Sequence, residues 1–149
     1  MHMRVTTVRR PTGTAQASPM PLYASRPAAG FPAPGDDLIE RVLDINDLVV
    51  KHPASTFFVR VEGDSMVGAG IFSGDVLVVD RAVEAGDGHI VVAAVNGELV
   101  VKRLSIESKG LNPLLRLVSE NETYAPIVVG EDETCYVWGV VVGSVRQFL

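Results

Sequence analysis

Cysteine is nearly absent from this chain of 149 residues; Cys135 is the only one. A single thiol closes no internal disulfide, and the cysteine-rich spacings of zinc sites are missing with it. Long apolar runs are missing too. The longest clean one, Ile90–Val95, is far shorter than the ~20 residues a membrane-spanning helix needs. The first residues include arginines but no apolar core of the kind a secretory signal carries. These absences point to the cytoplasm. Positive charge is also scarce: 13 Lys+Arg stand against 18 Asp+Glu, a net charge of -5. That balance argues against a partner held by counterion release from phosphates. No HExxH pair, phosphate-cradling glycine loop or Gly-x-Ser-x-Gly elbow occurs.

What is present is enough apolar material for a real core: 47% of the chain is hydrophobic. Composition changes near residue 35. Residues 1–29 hold Arg4, Arg9, Arg10 and Arg26, no acidic residue, and scattered Pro, Thr, Ser, Ala and Gly. No helical or strand period survives there, which predicts a flexible arm over residues 1–35, closed by "FPAPG". Residues 36–149 form the folded domain. Its start, "DDLIERVLDINDLVV", predicts a short helix capped by Asp36 or Asp37, with Leu38, Ile39, Val42 and Leu43 on one face. Pro53 ends it.

From Thr56 onward the texture is that of strands. "TFFVRV", "DVLVVD", "LLRLV" and "CYVWGVVVGSVRQF" each read as one. "HIVVAAV-NG-ELVVKRL" is the clearest local signal, because Asn96-Gly97 between two β-rich runs predicts a type I′ hairpin. That turn sets Val95 opposite Glu98 and Val91 opposite Lys102. The expected fold class is mostly β, a compact antiparallel fold with one short N-terminal helix. Cys135 reads as a small core residue.

Two residues carry possible chemistry. Ser65 follows Glu62-Gly63-Asp64, where the strand of "TFFVRV" stops. Lys102 sits mid-strand and by the period of two shares a face with Val100 and Leu104. A lysine on an apolar face is desolvated, which lowers its pKa and suits it to act as a base toward a serine. The plainer alternatives are a turn serine and a lysine reaching out to solvent from a sheet edge. A histidine-based triad would have to recruit His52 or His89, and nothing in their spacing favours it. Residue pattern alone leaves these readings open.

"VEGDSM", "SGDVLVVDR", "GHIVVAAVNGELVVKRL", "LVSENETYAPIVV" and "VWGVVVGSVRQF", in that order, resemble the LexA/UmuD family of self-cleaving proteins. The resemblance runs from about residue 28 to the C-terminus. It implies a LexA C-terminal-domain-like β fold with Ser65 as nucleophile and Lys102 as general base. It also implies a scissile bond at Ala29-Gly30, in "PAAGFPAP", and no cofactor or metal. Repressors of the family carry a helix-turn-helix before the cleavage site. Here only some 29 residues broken by Pro and Gly precede it, which favours the UmuD-type branch of polymerase accessory subunits and their plasmid-borne relatives.

That branch implies further partners: a RecA–single-stranded DNA filament that stimulates the cut, a second copy in a homodimer, and the UmuC-like catalytic subunit of a translesion polymerase in SOS mutagenesis. It implies neither sequence-specific DNA binding nor a membrane. The alternatives are a non-catalytic polymerase-binding β-module and a repressor-type regulator lacking its DNA-binding domain.

Overall fold

The computed structural model describes residues 2–11, 17–23, 39–108, 111–129 and 135–149. Among them, ten strands follow in chain order: β1 (Arg4–Arg9), β2 (Met20–Tyr23), β3 (Ile39–Leu43), β4 (Thr56–Glu62), β5 (Val76–Asp80), β6 (Ile90–Val95), β7 (Glu98–Glu107), β8 (Leu114–Val118), β9 (Ile127–Val128) and β10 (Cys135–Val145). One short helix, α1 (Ile45–Val49), lies between β3 and β4. The protein is mostly β, as its alternating patterns require. Two compact units divide it, one of Met1–Pro11 with His52–Leu149 and one of Thr12–Lys51.

The larger unit is an antiparallel sheet in the order β1-β4-β5-β10-β6-β7-β8-β9. A further pairing of Arg4 on β1 with Val100 on β7 closes six of these strands into a barrel. The β6–β7 hairpin has the predicted register, with Val95 opposite Glu98 and Val91 opposite Lys102. Its turn residues, Asn96 at φ 52° and Gly97 at φ 78°, are both left-handed, which is what a type I′ turn demands.

Alternation along these strands builds two apolar clusters. One gathers Met3, Val59, Val61, Met66, Leu77 and Val101. The other gathers Val91, Ala93, Leu104, Leu117, Cys135 and Val140, so Cys135 is the core residue expected of it. β6 and β7 contribute to both, and β6, buried on both faces, reads as a continuous run of Ile, Val and Ala rather than hydrophobic-polar alternation.

The loop from Gly63 to Asp75 is pinned at its base. Gly74 N–H donates to the Val61 carbonyl at 2.7 Å and Val61 N–H to the Asp75 carbonyl at 3.1 Å. Arg146 donates to both Asp75 carboxylate oxygens at 2.7 Å and lies over the Phe72 ring at 4.3 Å. Those hydrogen bonds hold the Asp75 carboxyl below the usual carboxylate range despite its burial.

Two features depart from the sequence expectations. Arg4–Arg9, within a stretch read as having no strand period, forms β1 with five register partners on β4, from Arg4 opposite Glu62 to Arg9 opposite Phe58. The ladder is made of backbone groups, and mostly exposed Arg and Thr side chains leave no alternation to read. The expected helix from Asp36 or Asp37 is replaced over Ile39–Leu43 by β3, which pairs with β2 in the smaller unit. Its partner, Met20–Tyr23, is distant in sequence and outcompetes a weak local helical period. The helix that does form is capped by Asp44, whose side chain accepts from Asn46 N–H at 2.9 Å, and it spans five residues. Asp36, Asp37, Leu38 and the expected cleavage pair Ala29 and Gly30 lie outside the described residues.

Candidate active site

Ser65 and Lys102 are both completely buried, an uncommon state for either residue type. Ser65 is set by the end of β4. The chain leaves Glu62, passes Gly63 at φ 118°, and turns so that Val67 N–H donates to the Asp64 carbonyl at 3.3 Å. A single 3-10 turn over Val67–Ala69 follows, closed by left-handed Gly70. Met66, next to the serine, is fully buried in the first apolar cluster and fixes the turn from below. Lys102 is set by the β6–β7 register, opposite Val91.

The two side chains meet consecutive residues, Ser65 the backbone of Met3 and Lys102 the imidazole of His2. Met3 N–H donates to Ser65 Oγ at 2.7 Å, and Lys102 Nζ lies 2.7 Å from His2 Nδ1. Lys102 Nζ also donates to Ser119 Oγ at 2.6 Å and sits 5.6 Å from the Tyr124 ring centroid. Among the described residues no buried side-chain nitrogen or oxygen is left without a partner. Burial pushes the Lys102 pKa below the ordinary lysine value. It also lowers that of His2, with the charge of Lys102 adding to the effect. Lys102 therefore gives up its proton more readily than a solvated lysine, which is the condition for a base acting on a serine hydroxyl.

Residues 119–124 form the opposite wall. Gly68 N–H donates to the Glu120 carbonyl at 3.0 Å, and Asn121 Nδ2 to the Asp64 carbonyl at 3.3 Å. Tyr124 Oη donates to Asp64 Oδ1 at 2.8 Å while its ring packs on His2 at 4.4 Å. Arg103 bonds to Glu120 and carries the same loop toward β7. A cavity of about 270 Å³ opens beside His2, lined also by Val100, Lys102 and Ile127.

The structure thus sets Ser65 and Lys102 against the consecutive residues Met3 and His2, while His52 and His89 bond elsewhere. His52 Nδ1 pairs with buried Asp80 at 2.5 Å, and Ser55 Oγ bonds to Asp80 and to the His52 carbonyl rather than to the His52 ring. Burial works to raise the Asp80 pKa, and hydrogen bonds led by His52 more than offset it. The site residues that sequence reading missed are His2, Met3, Ser119 and Tyr124. Ser119 was accessible to a register argument: Arg103 faces Val118, so the next pair along the ladder is Lys102 with Ser119. Nothing local marks His2 or Met3.

Comparison with known proteins places the sequence as a whole. Residues 21–142 match the Peptidase S24-like family. Protein ImpA of Salmonella typhimurium is 42% identical over 127 residues, covering 85% of this chain and 83% of the relative. Protein MucA of Escherichia coli is 38% identical over 137 residues, covering 91% and 90%. LexA repressor 1 of Xanthomonas axonopodis pv. citri is 37% identical over 141 residues, covering 94% of this chain and 68% of the repressor. With the match running through the Ser65 turn, β7 and most of β10, the chain belongs to the S24-like peptidase family.

Proposed function

We propose that this protein is a self-cleaving serine peptidase that cuts its own chain between Ala29 and Gly30. In this reading neutral Lys102 takes the Ser65 hydroxyl proton as Oγ attacks the Ala29 carbonyl carbon. The backbone N–H of Ser65 faces the developing oxyanion. The Ala29–Gly30 bond then breaks, the proton passes from Lys102 to the departing Gly30 amine, and water releases the acyl group from Ser65. Gly30 carries no side chain to obstruct close passage of the chain, and Ala29 needs only a shallow pocket.

The observation that carries the proposal is the convergence of a buried serine and a buried lysine on consecutive residues of one extended peptide. A peptidase cleft has to hold extended chain against its nucleophile, as Ser65 Oγ holds Met3 N–H here. Stimulation by a RecA–single-stranded DNA filament belongs to the same proposal, as do homodimerisation of the shortened chain from Gly30 onward and its docking to the catalytic subunit of a translesion polymerase. Membership of the peptidase family and the likeness to ImpA and MucA support it.

The test follows the chain's mass across a pH series from neutral to alkaline, with Ser65→Ala and Lys102→Ala alongside. A cut at Ala29-Gly30 that speeds up with pH and is lost in both variants is the expected result. A chain that stays whole at every pH, with RecA filaments added as well, rejects self-cleavage and leaves a binding module.

A further inference from the structure

We propose that the Ser65–Lys102 cleft is a strand-binding site whose resident ligand in the uncut chain is the His2–Met3 segment, and that this segment competes with the scissile segment for Ser65. The effect on cutting rests on the reading of Ser65 and Lys102 given above. The docking itself does not.

The segment is held as a strand, through its backbone. Met3 donates its N–H to Ser65 Oγ at 2.7 Å, and its carbonyl accepts from Val101 N–H at 3.0 Å. The chain then runs directly into β1, where Arg4 faces both Glu62 and Val100. Extended backbone alternates its side chains, and here both are used. Met3 is fully buried against Val59, Val61, Met66 and Val101, while His2 reaches Lys102 Nζ and packs at a tilt against the Tyr124 ring.

Gly63 is shaped for this passage: a Cβ there would stand 2.6 Å from the His2 carbonyl oxygen. The ligand class that fits is therefore an extended peptide with an unbranched apolar side chain at the Met3 position.

The docked geometry is not one for attack. A backbone N–H, not a carbonyl carbon, meets Ser65 Oγ, and the His2 imidazole is held against Lys102. Any segment that is to be cut has to displace both residues. Cutting then requires that the strap leave first, and the apparent rate falls by the fraction of molecules in which it is docked.

The experiment compares the full chain with Met3→Asp, and with the milder Met3→Ala in case the buried charge prevents folding. One readout is amide exchange at Val101, whose N–H is covered by Met3, measured in a Gly30→Glu background, where the bulky side chain blocks cutting and the Ser65 bond to Met3 stays in place. Val92, in the neighbouring strand, serves as the control for global folding. The other readout is the rate of the Ala29-Gly30 cut with Ser65 intact.

The expected result is loss of protection at Val101 alone, and a rate raised about tenfold if the strap fills the cleft nine-tenths of the time. Unchanged protection at Val101 overturns the docking. Lost protection without a faster cut, in a chain that does cut, overturns the competition. If no version of the chain cuts, the assignment of Ser65 fails instead, and Val101 exchange alone decides the docking.

Discussion

Lys102 Nζ donates a hydrogen bond to Ser119 Oγ at 2.6 Å, so the buried amine is aimed by a neighbouring strand end rather than left to rotate. Ser119 follows β8 and is itself buried, at 9% exposure. On the proposed mechanism it is a positioning residue for Lys102. Replacing it by alanine removes an acceptor that favours the charged amine, so the Lys102 pKa falls further. The rising limb of the pH–rate profile should then move to lower pH, while the plateau rate drops about tenfold or more because the base is no longer held in line. Ser119→Thr, which keeps the hydroxyl, should restore both. A plateau and limb that stay where they were would remove Ser119 from the mechanism.

Lys102 also has a measurable effect on stability, with a sign opposite to that of a paired lysine. Its pKa is lowered in the folded state by burial, so below the ordinary lysine pKa the unfolded chain binds the proton more tightly. Folding is penalised there, and the penalty disappears as pH rises past the ordinary value of about 10.4. Lys102→Met keeps the volume and removes the charge. It should raise Tm at neutral pH, and the gain should shrink toward zero in alkali. Each tenfold loss of proton affinity on folding is worth about 1.4 kcal/mol, which sets the scale of the gain. A variant less stable than the parent at pH 7 would mean that the bonds to Ser119 and His2 outweigh desolvation.

How far the site could be read from sequence follows from where its information lies. The β6–β7 hairpin was legible because Asn96-Gly97 dictates a turn, and the turn dictates that Lys102 faces Val91. Lys102's burial was one of two open readings, since a period of two cannot distinguish a buried face from one lined by reaching lysines. β1 was not legible at all. Its Arg and Thr side chains face outward, and its attachment to β4 is made of backbone hydrogen bonds that leave no trace in side-chain pattern. The β2–β3 pair was misread for a related reason: a distant partner, Met20–Tyr23, decided the conformation of Ile39–Leu43.

The loop that carries Ser65 depends on a bond at its far end. Asp75 is 2% exposed and is gripped by Arg146 through two oxygens, which holds its carboxyl below the usual range. A depressed carboxylate contributes stability above its unfolded pKa of about 3.9, and that contribution is lost as pH falls through the folded value. Asp75→Asn should therefore melt lower than the parent at pH 7, and the difference should shrink as pH falls below about 3.9 toward the lowered folded value. Self-cleavage should slow at neutral pH, because the Gly63–Asp75 loop no longer closes firmly under Ser65. Equal melting temperatures at pH 7 would show that the pair is not what anchors the loop.

Two glycines with positive φ separate strain from steric exclusion. Gly97 sits at φ 78° in the hairpin turn with nothing within 4 Å of where a Cβ would be. Gly97→Ala meets only the left-handed penalty, about 1–2 kcal/mol, and should lower Tm without touching the pH–rate profile. Gly63, at φ 118°, adds a collision: its Cβ would meet the His2 carbonyl oxygen at 2.6 Å and Met3 Cα at 2.8 Å, both backbone atoms. Gly63→Ala should lose stability from strain of about 1–3 kcal/mol and also drive peptide out of the cleft. A substrate segment has to pass the same point as His2–Met3, so cutting should fall with docking. Calorimetry and the mass-based rate, measured on both variants, distinguish the two positions. If Gly63→Ala cuts at or above the parental rate, the scissile segment reaches Ser65 by another path.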